Sequence, residues 1–92
     1  MTKIDVYYSN VCGLCTKAID FFHNRGVTFT AHAIEYDETI DEFIDSESTR
    51  EMYRRCEERV EFVPQIFIGD HYIGGWRNLE AMIESNEIDE IL

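Results

Sequence analysis

The chain has 92 residues, of which 45% are hydrophobic and 13% are aromatic. We expect this length to form a single domain over residues 1–92, with enough apolar content for a small core. Nineteen acidic residues against eight basic ones give a formal net charge of −11. So acidic a surface repels phosphate backbones, which argues against nucleic-acid binding.

The hydropathy of the chain and its first residues predict a cytoplasmic protein. No apolar run approaches the ~20 residues that span a bilayer, and an acidic residue, Asp5, follows closely after the start. We therefore expect no membrane span and no cleaved export signal. In a reducing cytoplasm the three cysteines are not expected to form a disulfide framework, which favours catalytic or metal-binding uses.

The first elements predicted along the chain are a strand, a helix and a second strand. Apolar residues over 3–8 recur with the two-residue period of a strand. From Cys12 to Arg25 they recur with helical spacing, and Gly26 supplies a C-terminal stop. Alternation returns over 27–33. A strand–helix–strand unit of this size predicts parallel strands joined by a crossover helix.

The middle of the chain is highly charged and is predicted to be helical. The segment 37–61 carries two apolar patches at helical spacing, the first formed by Ile40, Phe43 and Ile44. Ser48-Thr49-Arg50-Glu51 between the patches has the pattern of a capping box. We therefore expect two helices, or one helix broken near residues 45–48.

The last third predicts an antiparallel hairpin and a final helix. The strand over 63–68 and a strand that begins at Tyr72 are separated by Gly69-Asp70, which suits a two-residue turn. Apolar residues over 79–83 mark the helix, and a short apolar tail follows. The order β-α-β-α-β-β-α predicts an α/β fold, in which a four-stranded mixed sheet carries helices on both faces.

The motif Cys12-Gly13-Leu14-Cys15 lies where the first strand gives way to the helix. Free N–H groups and the positive end of the helix dipole favour a thiolate there, so Cys12 is the predicted nucleophile. Cys15, one turn later on the apolar stripe, is expected to be buried and to act as the resolving thiol. No second Cys or His pair completes a zinc site, so the motif favours redox chemistry, while Cys56 is expected to be inert.

Two further segments contain residues with special backbone properties. Pro64 opens an apolar strand, where proline is tolerated, and base rates alone favour a trans peptide bond. Gly74-Gly75 precedes the last helix, whose free N–H groups attract carboxylates. A tight turn explains the paired glycines equally well.

Three segments together resemble the dithiol glutaredoxins, and they occur in the order and at the spacing of that family: residues 7–15 (YYSNVCGLC), 63–69 (VPQIFIG) and 73–75 (IGG). The resemblance implies a thioredoxin-like fold in which Pro64 is cis. It implies a thiol–disulfide oxidoreductase that uses glutathione and needs no metal. Cys12 and Cys15 would be its catalytic residues.

The resemblance also implies a site for glutathione bound as an extended peptide. The backbone of Val63, beside Pro64, would pair with the cysteinyl unit, and Leu14 would line the groove next to Cys12. The γ-glutamyl unit would meet the residues that follow the double glycine, namely Trp76, Arg77 and Asn78.

The sequence departs from the family pattern at several of these places. Gly13 and Leu14 stand where proline and tyrosine are usual, and Ser9 stands where a basic residue often helps to hold glutathione. Phe62 replaces a frequent threonine, and Asn78 a frequent aspartate. The candidates to supply the missing positive charge are Lys17, Arg59 and Arg77.

The predicted substrates are protein disulfides and glutathione mixed disulfides, and ribonucleotide reductase is a client that the resemblance implies. We expect the protein to be a monomer. Three alternatives remain open. One is a redoxin of the same fold recharged by thioredoxin reductase; another is a dimeric carrier of a glutathione-ligated [2Fe–2S] cluster held through Cys12. The third is an acidic adaptor with structural cysteines.

Overall fold

A computed structural model of the protein describes residues 2–10 and 12–92. The strands are β1 (Ile4–Tyr8), β2 (Thr30–Ala33), β3 (Tyr36–Asp37), β4 (Glu42–Phe43), β5 (Gln65–Ile68) and β6 (His71–Gly74). The helices are α1 (Gly13–Arg25), α2 (Glu47–Cys56), α3 (Trp76–Glu84) and α4 (Ile88–Ile91). In these ranges no helix combines the length and the hydropathy needed to cross a membrane.

A four-stranded mixed sheet in the order β2-β1-β5-β6 organises the fold. Strand β1 runs parallel to β2 and antiparallel to β5, which in turn pairs antiparallel with β6. Gly69 adopts a φ of 59° in the turn between β5 and β6, a conformation that glycine reaches without steric cost. The predicted parallel unit and the predicted hairpin are both confirmed.

One face of the sheet is covered by α1, α3 and α4, and we call it the apolar face. Alternate residues of β1 and β5 point to this side because successive side chains of a strand face opposite ways. Its buried core consists of Ile4, Val6, Ala18, Phe22, Ile66, Ile68, Ile73, Leu79 and Ile88. No ionisable side chain belongs to this buried cluster.

The opposite face is covered by α2, and we call it the α2 face. Its buried cluster consists of Tyr7, Ile34, Met52, Cys56, Val60 and Phe67. The two clusters together confirm the predicted arrangement, with helices packed on both sides of one sheet.

The α2 face also holds a network of polar groups around Asp5, whose side chain is 2% exposed. His32 Nε2 lies 2.8 Å and Arg55 Nη1 lies 3.1 Å from its carboxylate oxygens. Arg55 also donates to the Tyr7 hydroxyl, which donates to Glu51. Burial raises the pKa of Asp5, but the hydrogen bonds from His32 and Arg55 outweigh it, so that the pKa is lowered.

The helix predicted for the first apolar patch of segment 37–61 is wrong, because strands β3 and β4 form an antiparallel hairpin there. The rings of Tyr36 and Phe43 meet edge to face across this hairpin, 6.0 Å apart. Asp37 accepts a hydrogen bond from the Thr39 N–H and so starts the turn, and Asp41 adopts a φ of 54°. Such a side-chain-to-backbone bond offers the chain an alternative to helix.

Several predicted boundaries also need correction. The N-cap of α2 is Ser46, whose Oγ accepts the Thr49 N–H at 3.1 Å, so the capping box at Ser48 does not form. Strand β2 begins at Thr30, three residues later than predicted, and β5 begins at Gln65, after the Val63–Pro64 bond.

Candidate active site

Cys12 is the N-cap residue of α1, at the place where the sequence predicts a thiol at the start of a helix. Its Sγ accepts a hydrogen bond from the backbone N–H of Cys15 at 3.3 Å. The same thiol donates to the carbonyl oxygen of Val63 at 3.3 Å. The side chain is partly exposed, so an incoming disulfide can reach it. Cys12 thus combines access with hydrogen bonds that hold its sulfur in one place.

Cys15 lies in the first turn of α1 and is 1% exposed. Burial raises the pKa of its thiol to about 12, and the interaction with the Cys12 side chain acts in the same direction. At neutral pH Cys15 is therefore a protonated thiol beside the more accessible sulfur. This difference suits a pair in which one thiol attacks first and the other attacks later.

The segment that faces Cys12 is anchored by Gln65. The Val63–Pro64 bond is cis, as the resemblance implies. Gln65, fully buried, donates from Nε2 to the Phe62 carbonyl at 2.9 Å and accepts the Tyr72 hydroxyl at 2.5 Å. The sequence analysis did not single out Gln65, although an amide within an otherwise apolar strand was an available signal.

The third thiol, Cys56, belongs to the core behind this segment. It is 9% exposed, and its Sγ lies 3.8 Å from Oε1 of Gln65. Burial raises the pKa of the Cys56 thiol. Burial thus disfavours the reactive thiolate, and an inert Cys56 stays a prediction.

A cleft of about 330 Å³ is lined in part by Val63, whose carbonyl accepts the Cys12 thiol. The residues predicted to contact glutathione all line it, namely Leu14, Val63, Pro64, Trp76, Arg77 and Asn78. Two residues that were not predicted as contacts complete its wall, Phe62 and Gly75. The structure thus brings together in one cleft segments that are far apart in the sequence.

The polar groups of the cleft differ in whether they already have a hydrogen-bond or ion-pair partner within the fold. Asn78 donates from Nδ2 to the Ile73 carbonyl at 3.1 Å, so one of its amide hydrogens is already used within the fold. Arg77 is exposed and, within residues 2–10 and 12–92, pairs with no carboxylate. The Val63 N–H likewise has no acceptor among the described residues. Arg77 and the Val63 N–H are therefore available to a ligand.

The described part of the chain contains no group of three or more His, Cys, Asp or Glu side chains arranged to hold a metal ion. The histidines lie apart from the cysteines of the cleft: His23 is on α1, His32 contacts Asp5, and His71 opens β6.

Comparison with known proteins identifies relatives of this chain. The Glutaredoxin family model matches residues 4–73. A probable glutaredoxin of Synechocystis is 29% identical over 90 residues, which cover 98% of this chain and 92% of that protein.

Solved structures give the same picture. A dithiolic glutaredoxin of Trypanosoma brucei brucei is 29% identical, with a TM-score of 0.70 over 98% of this chain and 86% of that one. A buckwheat glutaredoxin solved as a glutathione complex is 21% identical, with a TM-score of 0.69 over 99% of this chain and 76% of that one, and this likeness supports the thioredoxin-like fold. The chain therefore belongs to the glutaredoxin family, whose chemistry is thiol–disulfide exchange.

Proposed function

We propose that the protein is a glutathione-dependent thiol–disulfide oxidoreductase that reduces protein disulfides and glutathione mixed disulfides through Cys12 and Cys15. The observation that carries this proposal is the unequal pair of thiols at the start of α1. Cys12 is accessible and hydrogen bonded to the Cys15 N–H, while Cys15 is buried and protonated. The pair is built for two successive attacks in a fixed order.

The reaction begins when the Cys12 sulfur, as thiolate, attacks one sulfur of the substrate disulfide. A Cys12–substrate disulfide forms, and the other substrate sulfur leaves as a thiolate that takes up a proton. Cys15 then gives up its proton and attacks the Cys12 sulfur. This step releases the second substrate thiol and leaves a Cys12–Cys15 disulfide, so that two electrons have passed from the protein to the substrate.

Glutathione returns the protein to its reduced form. One glutathione thiolate attacks the Cys12 sulfur and frees Cys15, and a second attacks the glutathione sulfur of the mixed disulfide and frees Cys12. The products are the reduced protein and oxidised glutathione. A substrate that already carries glutathione needs Cys12 alone, because glutathione itself resolves the intermediate.

The cleft supports the use of glutathione. The N–H of Val63, which has no acceptor among the described residues, and its carbonyl, which accepts the Cys12 thiol, are the two groups that an extended peptide uses in strand pairing. Arg77 lines the cleft and can pair with a γ-glutamyl carboxylate, and Trp76, Asn78 and Leu14 also line it. The buckwheat relative was solved with glutathione bound, which favours the same ligand here.

The remaining parts of the proposal concern setting and partners. We infer that the chain works as one domain over residues 1–92, as a monomer, in the cytoplasm. Its partners are disulfide-bearing proteins, with ribonucleotide reductase as a client suggested by the family. The acidic composition of the chain, with a formal net charge of −11, supports protein rather than nucleic-acid substrates.

The proposal is tested by turnover of a glutathione mixed disulfide in a coupled assay with glutathione, glutathione reductase and NADPH. Replacing the glutathione system with thioredoxin reductase separates the proposal from the alternative in which glutathione is not the reductant. We expect turnover with glutathione and little with thioredoxin reductase. Turnover with thioredoxin reductase but not with glutathione would show that the protein is a redoxin recharged by thioredoxin reductase.

Cysteine variants assign the roles of the three thiols. Cys12→Ser is expected to abolish reduction of every substrate, a loss of at least about 10³-fold, because the nucleophile is removed. Cys15→Ser is expected to retain activity on glutathione mixed disulfides and to lose it on protein disulfides. Cys56→Ser is the matched control and should retain both activities. Equal losses in Cys12→Ser and Cys56→Ser would contradict the assignment.

A further inference from the structure

We propose that Phe62 is a specificity-determining residue. It makes the cleft favour substrate disulfides in which an apolar residue directly precedes the cysteine that Cys12 attacks. The preferred occupant is thus an extended segment of a protein substrate. The inference rests on the proposed function, because it takes Cys12 as the nucleophile. It adds the substrate class that the same site selects.

The first argument is the exposure of two large apolar side chains in one cleft. Phe62 is 55% and Leu14 is 41% exposed, and both line the cleft beside Val63. A single exposed apolar residue is common on protein surfaces and requires no explanation. Two that face the same cleft, next to a reactive sulfur, form the kind of apolar patch that marks a binding site.

The second argument is that Phe62 is held in place. Its carbonyl oxygen accepts a hydrogen bond from Nε2 of the buried Gln65 at 2.9 Å. Its ring lies against Gly75 so closely that a Cβ placed on Gly75 would come within 3.0 Å of the ring. The ring therefore forms a wall of the cleft beside Gly75, and an apolar side chain bound there buries area against it.

The third argument is the direction of the bound peptide. In the proposed glutathione complex, the γ-glutamyl unit precedes the cysteine and lies toward Trp76, Arg77 and Asn78. A protein segment bound in the same direction places there the residue that precedes its own cysteine. Phe62 and Gly75 line the same cleft as these residues. An apolar side chain in this place becomes buried against the ring, whereas the charged groups of a γ-glutamyl unit gain nothing from it.

The test uses two small disulfides that differ only at this position. They are the symmetric disulfides of acetyl-leucyl-cysteine amide and acetyl-seryl-cysteine amide, in which attack at either sulfur is equivalent. Reduced protein is mixed with an excess of each disulfide, quenched with an alkylating agent, and the loss of its free thiols is followed by mass spectrometry. This single turnover does not depend on how the protein is recharged.

For the wild-type protein we expect the leucyl disulfide to react about tenfold faster than the seryl one, the range typical for one apolar side chain in a pocket. Phe62→Thr is expected to reduce this ratio to about two. Ile40→Thr is the matched control, because Ile40 is 59% exposed and lies outside the cleft, and it should keep the full ratio. Circular dichroism checks that each variant is folded.

Leu14→Ser, on another wall of the cleft, is a second variant expected to lower the ratio, and it serves should Phe62→Thr fail to fold. Equal rates for the two disulfides with wild-type protein would overturn the inference while the proposed function stands. An undiminished ratio in folded Phe62→Thr, or an equal fall in Ile40→Thr, would also overturn it. Failure of both disulfides to oxidise the wild-type protein would overturn the proposed function as well.

Discussion

The two faces of the central sheet are built in different ways, although the same strands supply both. The apolar face packs aliphatic and aromatic side chains of α1, α3 and α4 against β1 and β5. The α2 face surrounds a similar apolar cluster with charged and polar groups, and its centre is the buried Asp5 with Arg55 and His32. Neither face leaves a buried side-chain nitrogen or oxygen without a partner among the described residues.

The difference shows how stability and positioning are divided in this protein. Hydrophobic packing has no preferred direction, so the apolar face contributes stability without fixing where individual atoms point. Hydrogen bonds and ion pairs are directional, and on the α2 face they hold the side chains of β1 and β5. Beyond one end of β1 lies Cys12, and just before β5 lies Val63. The α2 face thus bears on the alignment of the two segments that meet at the candidate active site.

The largest expected effect tests the apolar face. Phe22→Ala removes a fully buried ring from α1 and should lower the free energy of unfolding by about 4 kcal/mol, because it leaves a cavity as well as losing apolar contacts. Urea unfolding monitored by circular dichroism measures the change. Phe21→Ala, on the same helix but only half-buried, is the control and should cost less than half as much. Equal losses would show that this face is less tightly packed than the structure indicates.

The second prediction concerns the buried ion pair on the α2 face. Arg55→Met leaves Asp5 buried with only His32 as a partner and should cost about 2 kcal/mol, because an uncompensated buried charge is expensive. Adding Asp5→Asn should recover part of the loss, which a double-mutant cycle by urea unfolding measures.

The exposed pair Arg50–Asp45 is the control, and Arg50→Met should cost less than about 1 kcal/mol. Measuring the free energy of unfolding at low pH provides a further test of the Asp5 network. Because the folded pKa of Asp5 is lowered, its contribution is present above its usual pKa of 3.8 and is lost as the pH falls through the lowered value. Equal costs for Arg55→Met and Arg50→Met would remove the special role of the buried network.

The third prediction is a difference in alkaline sensitivity between the two faces, and it is confined to high pH. Burial and the hydrogen bond to Glu51 raise the pKa of Tyr7 from 10.0 to about 12. Its contribution to stability is therefore complete below pH 10 and is lost as the pH rises toward 12. The maximal slope is about 1.4 kcal/mol per pH unit for one group. Tyr7→Phe should flatten the measured slope, whereas Phe22→Leu should leave it unchanged.

The measurement is urea unfolding at several pH values between 9 and 11.5, with a reductant present. Cys15, whose pKa is also raised to about 12, contributes a slope of the same sign, so the wild-type comparison is essential. A slope that Tyr7→Phe and Phe22→Leu change equally would argue that alkaline unfolding has no link to the α2 face.

The elements that could be predicted from the sequence are those decided by local patterns. The two-residue period of β1, the helical stripe of α1 and the turn at Gly69 each specify their own geometry, and the structure agrees with them. The position of Cys12 before α1 follows from the same patterns. The resemblance supplied the cis bond at Pro64, which base rates alone would have missed.

The remaining features depend on contacts between distant residues. The first apolar patch of segment 37–61 has helical spacing at Ile40, Phe43 and Ile44. The segment nevertheless forms a hairpin, because Tyr36 pairs with Phe43 and a turn starts at Asp37. The bond between Asp5 and Arg55 joins residues 50 positions apart, for which no local pattern gives a signal. The contact of Phe62 with Gly75 likewise appears only when two loops are brought together.

The hydrogen bonds at the N-cap of α1 also bear on how readily the protein gives up electrons. In the reduced chain the Cys12 sulfur accepts the Cys15 N–H and donates to Val63. A Cys12–Cys15 disulfide has no hydrogen to donate, so the hydrogen bond to the Val63 carbonyl is lost on oxidation. Interactions that favour the dithiol raise the reduction potential of the pair, by about 30 mV for each 1.4 kcal/mol. Under the proposed function, we therefore expect the residue that caps the helix also to influence the reduction potential of the Cys12–Cys15 pair.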